Sequence, residues 1–129
     1  GRLESVGEVR SMYMFWRFKM PFPDLQREIV DRNGVIVARS DFYWDAYRHA
    51  GECEGMVKYG RLNPYADDDG RVLTDEKRRE DAVRGCELGM SRWTWPELGT
   101  SVQGRTAARI HSEMVRSRRL YARNAVHIA

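Results

Sequence analysis

Residues 27–55 read REIVDRNGVIVARSDFYWDAYRHAGECEG, and the fold turns on them. β-Branched and aromatic residues flank Asn33-Gly34, a pair that supplies the positive φ values a two-residue hairpin requires. The expected elements are a strand over 27–32, a tight turn at Asn33-Gly34, a longer strand over 35–44 and a third strand over 49–55 that closes a meander. Strand side chains alternate between faces, so Glu52 and Glu54 share a face with Cys53 on the other. On the preceding strand Phe42 and Trp44 share one face, and Asp41, Tyr43 and Asp45 the other. Pairing as a hairpin brings Asp41 beside Glu52 and Glu54. Three crowded carboxylates repel unless a cation neutralises them, and hard oxygen ligands suit Mg²⁺ or Mn²⁺. Pairing with arginines, or plain solvation, is the alternative from spacing alone.

Upstream, residues 4–18 place Val6, Val9, Met12 or Tyr13, and Trp16 at three- and four-residue spacing, which predicts an amphipathic first helix with that stripe inward. Pro21 and Pro23 break it. Downstream, residues 61–74 are polar and read as a mobile loop. Their Asp67-Asp68-Asp69 run lacks the later Glu of a calcium loop and reads as solvated. Thr74 caps a helix over 75–88 whose inward stripe is Ala82, Val83 and Cys86, with Gly89 ending it. A fourth strand over 90–95 stops at Pro96. A last helix from about Val102 to Tyr121 presents Val102, Ala108 or Arg109, Ile110, Met114 and Leu120. The expected fold class is α/β (α+β), in the order α-β-β-β-α-β-α, with a four-stranded mixed sheet flanked by helices and one domain over 1–129.

The chain has 129 residues, 42% of them hydrophobic, and a mean hydropathy of −0.66, the balance of a globular domain able to bury a core. Its longest apolar run, Met12 to Trp16, is far short of the ~20 residues of a membrane-spanning helix, which excludes such a span. Cys53 and Cys86 form no CxxC pair and have no local histidine cluster, so a reduced, cytoplasmic chain without zinc is expected. The start at Gly1, without a leader, reads as a piece cut from a longer protein. Of the formal net charge of +3, residues 105–129 carry +5 and the rest −2. Arg116, Arg118 and Arg119 in that segment could meet nucleic acid phosphates or form a solvated helix face.

Trp93 and Trp95 alternate with Arg92 and Thr94, and aromatics so placed on a strand are expected in the core rather than as a base-stacking platform. Arg92, on the opposite face from Trp93, points toward the acids as an ion-pair partner. His49, His111 and His127 share no spacing with one another or with the acids and read as surface or loop residues.

A first-helix Glu, a hairpin ending in Asp, the strand GECEG, then VKYGR, EKRRED and RWTWPEL, resemble in order the PD-(D/E)XK nuclease superfamily. The similarity is to its very-short-patch-repair-like branch, and particularly to actinobacterial and actinophage members that carry such a domain at the C terminus of abortive-infection type IV (AbiEi-type) antitoxin-like proteins. The resemblance covers about residues 1–120. It implies a restriction-endonuclease-like core and Mg²⁺- or Mn²⁺-dependent hydrolysis of DNA phosphodiesters in phage defence or DNA repair. Under it Glu8 matches the first-helix Glu, Asp41 the metal-binding Asp and Glu52 the motif Glu, with Gln26 a supporting donor. Arg61 and Tyr59 fall beside a substrate groove. Glu54 stands where the superfamily usually has its Lys and this branch often has Asp, so the positive charge falls to Lys58 or to Lys77. That departure leaves two expectations, an endonuclease with a relocated Lys or a silent nuclease fold that binds DNA, a cognate toxin or another protein partner. A homodimer is open under both.

Overall fold

The computed structural model describes residues 4–54, 77, 78 and 80–122. Its first helix, α1, spans Glu4–Arg17, and strands β1 (Asp24–Val30), β2 (Ile36–Trp44), β3 (His49–Glu54) and β4 (Gly89–Thr94) form one sheet in the order β1-β2-β3-β4. The first three strands are antiparallel neighbours and β4 runs parallel to β3, so the sheet is mixed. Residues 77, 78 and 80–84 are helical. The second long helix, α2, spans Gln103–Ser117 and continues as a π turn over Arg118–Ala122. The molecule is therefore a mixed α/β fold whose four-stranded mixed sheet is flanked by helices. Among the described residues no helix is long and apolar enough to cross a membrane.

The two faces of the sheet carry separate cores. Phe42, Trp44 and Trp93 meet Met14 and Phe15 of α1 and Ala107, Ile110 and Met114 of α2 on one face. Ile29, Tyr43, Ala50 and Met90 meet Val83 and Leu88 on the other. Aromatic bulk on the first face needs room, and Gly51 provides it: a Cβ there would lie 2.7 Å from the Trp93 ring. Both buried indoles are satisfied, Trp93 donating to Ser11 Oγ at 2.9 Å and Trp44 to the Pro21 carbonyl at 2.7 Å.

Several expectations are corrected. Most of the stripe assigned to the inside of α1 lies outside: Val6, Val9, Tyr13 and Trp16 are 39%, 66%, 50% and 64% exposed, and only its alternative member Met12 packs against the core, while Gly7, Ser11, Met14 and Phe15 are buried. Both faces of this helix are apolar, so periodicity finds two stripes and cannot rank them. The turn is not a two-residue hairpin with two positive φ values. Only Gly34 is left-handed (φ 82°), its N–H donates to the Asp31 carbonyl, and Asp31 Oδ1 accepts from the N–H groups of Asn33 and Val35. A register shift between Ile29 and Val30 absorbs the extra residue. Gly89 does not end the preceding helix. Helical structure stops at residue 84, a turn follows, and Gly89 opens β4. In α2 the buried side is Gln103, Thr106, Ala107, Ile110, Met114 and Ser117, with Ala108 and Leu120 exposed. The expected loop over 61–74 and its Asp67-Asp68-Asp69 run lie outside the described residues.

Candidate functional site

On β1 and β2 the pairs Leu25↔Phe42 and Arg27↔Ser40 bracket Gln26 and Asp41, which therefore lie opposite one another without pairing. Gln26 is one of the few non-glycine residues with positive φ (52°), an arrangement that costs free energy and recurs where structure serves a site. Its side-chain amide donates to the Glu8 carboxylate of α1. The β2/β3 ladder reaches only to Phe42↔Gly51, and beyond it Asp41 Oδ2 accepts the Cys53 N–H at 3.2 Å. Asp41 thus sits where both neighbouring ladders open, and Glu8 and Gln26 meet beside it.

Glu52 and Glu54 lie on the sheet face of Ala50 and Met90, in register with Arg92 and Thr94 of β4. Arg92 lies 4.0 Å from Glu52, 3.5 Å from Glu54 and 3.8 Å from Glu80 of the short helix. The expectation that Arg92 turns from Trp93 toward the acids agrees with these distances. Glu52 is only 8% exposed, so its carboxylate depends on neighbours for compensation. Lys77 is exposed on helical backbone. Lys58, Tyr59 and Arg61 lie outside the described residues.

No family model, curated protein or solved structure matches this chain. The chemistry must therefore be argued from the side chains themselves. Asp41, Glu52 and Glu54 present only carboxylate oxygens, the donor set a hard divalent cation takes. Among the described residues no three His, Cys, Asp or Glu side chains are gathered into a ready metal cage. In kind the donors fit Mg²⁺ or Mn²⁺, and among the described residues Arg92 is a cation that Glu52 and Glu54 both meet.

The arginines near the C terminus separate by role. Arg116 and Arg119 are exposed, and Arg118 lies over the Tyr47 ring at 4.7 Å. Trp93 is core, as expected, and Trp95 is half-buried with Arg10 over its ring at 5.3 Å. Cys53 and Cys86 are free thiols, and burial pushes the Cys53 thiol up to about 11, which makes it inert at neutral pH.

His49 corrects its expected surface placement. It is 1% exposed, on the aromatic face of the sheet, with Nδ1 2.7 Å from Ser117 Oγ and Nε2 2.6 Å from Ser91 Oγ. Ser91 donates its hydroxyl to Glu113, so its oxygen accepts from His49 Nε2–H, and Nδ1 accepts from Ser117. The alternation of β3 carried this signal, since His49, Gly51 and Cys53 share one side. Burial, with Arg84 adding a smaller push, holds the imidazole down to about 4 from 6.5. The unfolded chain therefore binds the proton first as pH falls. This contribution to stability is complete above about pH 6.5 and is lost progressively toward about pH 4. Urea unfolding is expected to give about 2 kcal/mol less from this group at about pH 5 than at about pH 7. His49→Gln should flatten that part of the slope, and an identical slope in the variant refutes the assignment.

Proposed function

We propose that Asp41, Glu52 and Glu54 form the hydrolytic centre of a restriction-endonuclease-like domain that cleaves DNA phosphodiester bonds. The observation that carries this is the contact of Gln26 with Glu8 across from Asp41, where the ladders on both sides of β2 open, a short step along β3 from Glu52 and Glu54. Backbone pairing is given up there, and a left-handed Gln26 is tolerated, at a cost that a purely structural sheet has no reason to carry.

Asp41, Glu52 and Glu54 would hold Mg²⁺ or Mn²⁺, which when bound polarises a phosphoryl oxygen and lowers the pKa of an attacking water. Gln26 fixes the orientation of the Glu8 carboxylate at the edge of the site. Lys58 is the group assigned to orient the water or to steady negative charge as the pentavalent phosphorus forms. Arg61 and Lys77 are assigned to the substrate backbone, as are Arg116, Arg118 and Arg119 on a second basic surface.

The contact of Arg92 with Glu52 and Glu54 favours a second reading, a nuclease fold that has exchanged its metal for an internal guanidinium and only binds DNA or a protein partner such as a cognate toxin. One experiment separates the two. Supercoiled plasmid incubated with the protein is expected to be nicked or linearised with Mg²⁺ or Mn²⁺ and to survive in EDTA. Intact plasmid in every metal, with no metal-dependent rise in Tm, overturns the hydrolytic reading in favour of the silent one.

A further inference from the structure

The outward face of α1 is used by neither core and lies on the helix side opposite to Met14 and Phe15. Val9, Tyr13 and Trp16 are at least half exposed there, and the Tyr13 and Trp16 rings lie 5.8 Å apart, tilted by 38°. Just beyond the helix, Phe18 carries the Arg17 guanidinium over its ring at 4.9 Å, and Phe22 is 62% exposed. Residues 9–23 contain Arg10, Arg17 and Lys19 and no acidic residue, and all three cations are exposed. Arg10 lies over the Trp95 ring, and Arg17 donates to Gln103 Oε1 at 2.9 Å and to the Thr100 carbonyl at 3.5 Å, so both guanidinium groups are held at the rim of this face. Large aromatic faces edged by cations make a surface for a polyanion that offers flat, unpaired rings. Beside it, a groove of about 350 Å³ runs between Phe18 and Lys19 and the small residues Gly104, Ala107 and Ala108 of α2, and a Cβ at Gly104 would close on the Phe18 ring at 3.4 Å.

We infer that this face of α1 binds single-stranded DNA, with bases stacking on Tyr13 and Trp16 and phosphates meeting Arg10, Arg17 and Lys19. A second copy of the chain fits worse. Packing two such faces sets six cations against one another with no acid from residues 9–23 to answer them. Duplex DNA fits worse too, because its base faces are already stacked inside the helix. The choice of DNA over RNA rests on the hydrolytic reading of the carboxylate site, whereas the binding itself does not.

The test is titration of the whole chain with oligo-dT of about 15 nucleotides, within the range such surfaces cover. Trp44 and Trp93 are buried and Trp95 is half-buried under Arg10, so the largest share of the quenching of tryptophan emission is expected from Trp16, with Trp95 contributing the remainder. Trp16→Phe should keep most of the affinity and lose most of the quenching. The Tyr13→Ala/Trp16→Ala double variant should weaken binding by about tenfold or more, the scale of a lost stacking partner. Glu52→Gln should keep full oligo-dT affinity while losing plasmid cleavage, so failure of this surface and failure of the carboxylate site are told apart. Unchanged affinity in the double variant overturns the proposal. So does equal binding of blunt duplex, or a dimer that the double variant dissolves, which would assign the face to a second copy. Tighter binding of oligo-rU overturns the choice of DNA.

Discussion

Glu52→Gln is expected to reduce metal-dependent plasmid cleavage by roughly a hundredfold or more, the scale on which a positioned electrostatic group is lost from a reaction centre. Asp41→Asn should do the same. Neither substitution should unfold the chain. Glu52 is a buried carboxylate with Glu54 close along the strand, and Glu80 shares its Arg92 partner, so three like charges crowd one guanidinium. Replacing one acid by its amide removes repulsion, and Arg92 keeps Glu54 at 3.5 Å and Glu80 at 3.8 Å. The expected Tm is therefore equal to that of the parent or higher. A fall in activity that merely tracks a fall in Tm would point to a structural role. Unchanged cleavage in both variants would remove these carboxylates from the chemistry altogether.

The hairpin explains why much of this arrangement was legible in the chain. A turn centred on Asn33-Gly34 sets Gln26 opposite Asp41, and the observed pairs Leu25↔Phe42 and Arg27↔Ser40 keep that register although the turn itself is of another type. The shift at Ile29/Val30 restores what the longer turn displaces, so an error in turn chemistry left the strand faces unchanged. What alternation could not reveal was the opening of the ladder at Asp41 and the left-handed backbone of Gln26, whose side-chain partner Glu8 comes from α1, outside the hairpin. The partners of Glu52 were half legible. Alternation on β4 turns Arg92 away from Trp93, but its third acid, Glu80, arrives from a separate helix; Val83 of that helix and Cys86 just after it were legible as inward residues, while the position of the helix over β4 was not. His49 was misplaced because its chemistry was sought in spacing to acids along the chain, while its partners Ser91 and Ser117 come from β4 and α2.

The largest expected loss of stability comes from α1, where two apolar stripes compete and only the packing tells them apart. Phe15 is fully buried and meets Phe42, Trp44 and Trp93 edge-on, with ring centroids 5.4, 5.2 and 5.8 Å away. Phe15→Ala removes the ring from the centre of that cluster and leaves a cavity that three rigid aromatics on a sheet cannot collapse to fill. The expected cost is about 3–5 kcal/mol, a large share of the ~5–15 kcal/mol that holds a domain together. Its Tm should fall by roughly 10 °C or more. Trp16, one residue along and 64% exposed, lies about 100° further round the helix, so Trp16→Ala should change stability by no more than ~0.5 kcal/mol. The pair is a direct measure of which stripe faces the core, read by urea unfolding of both variants. If Trp16→Ala proves the costlier of the two, α1 is rotated relative to this structure, and the exposed aromatic face argued for single-stranded DNA vanishes with it.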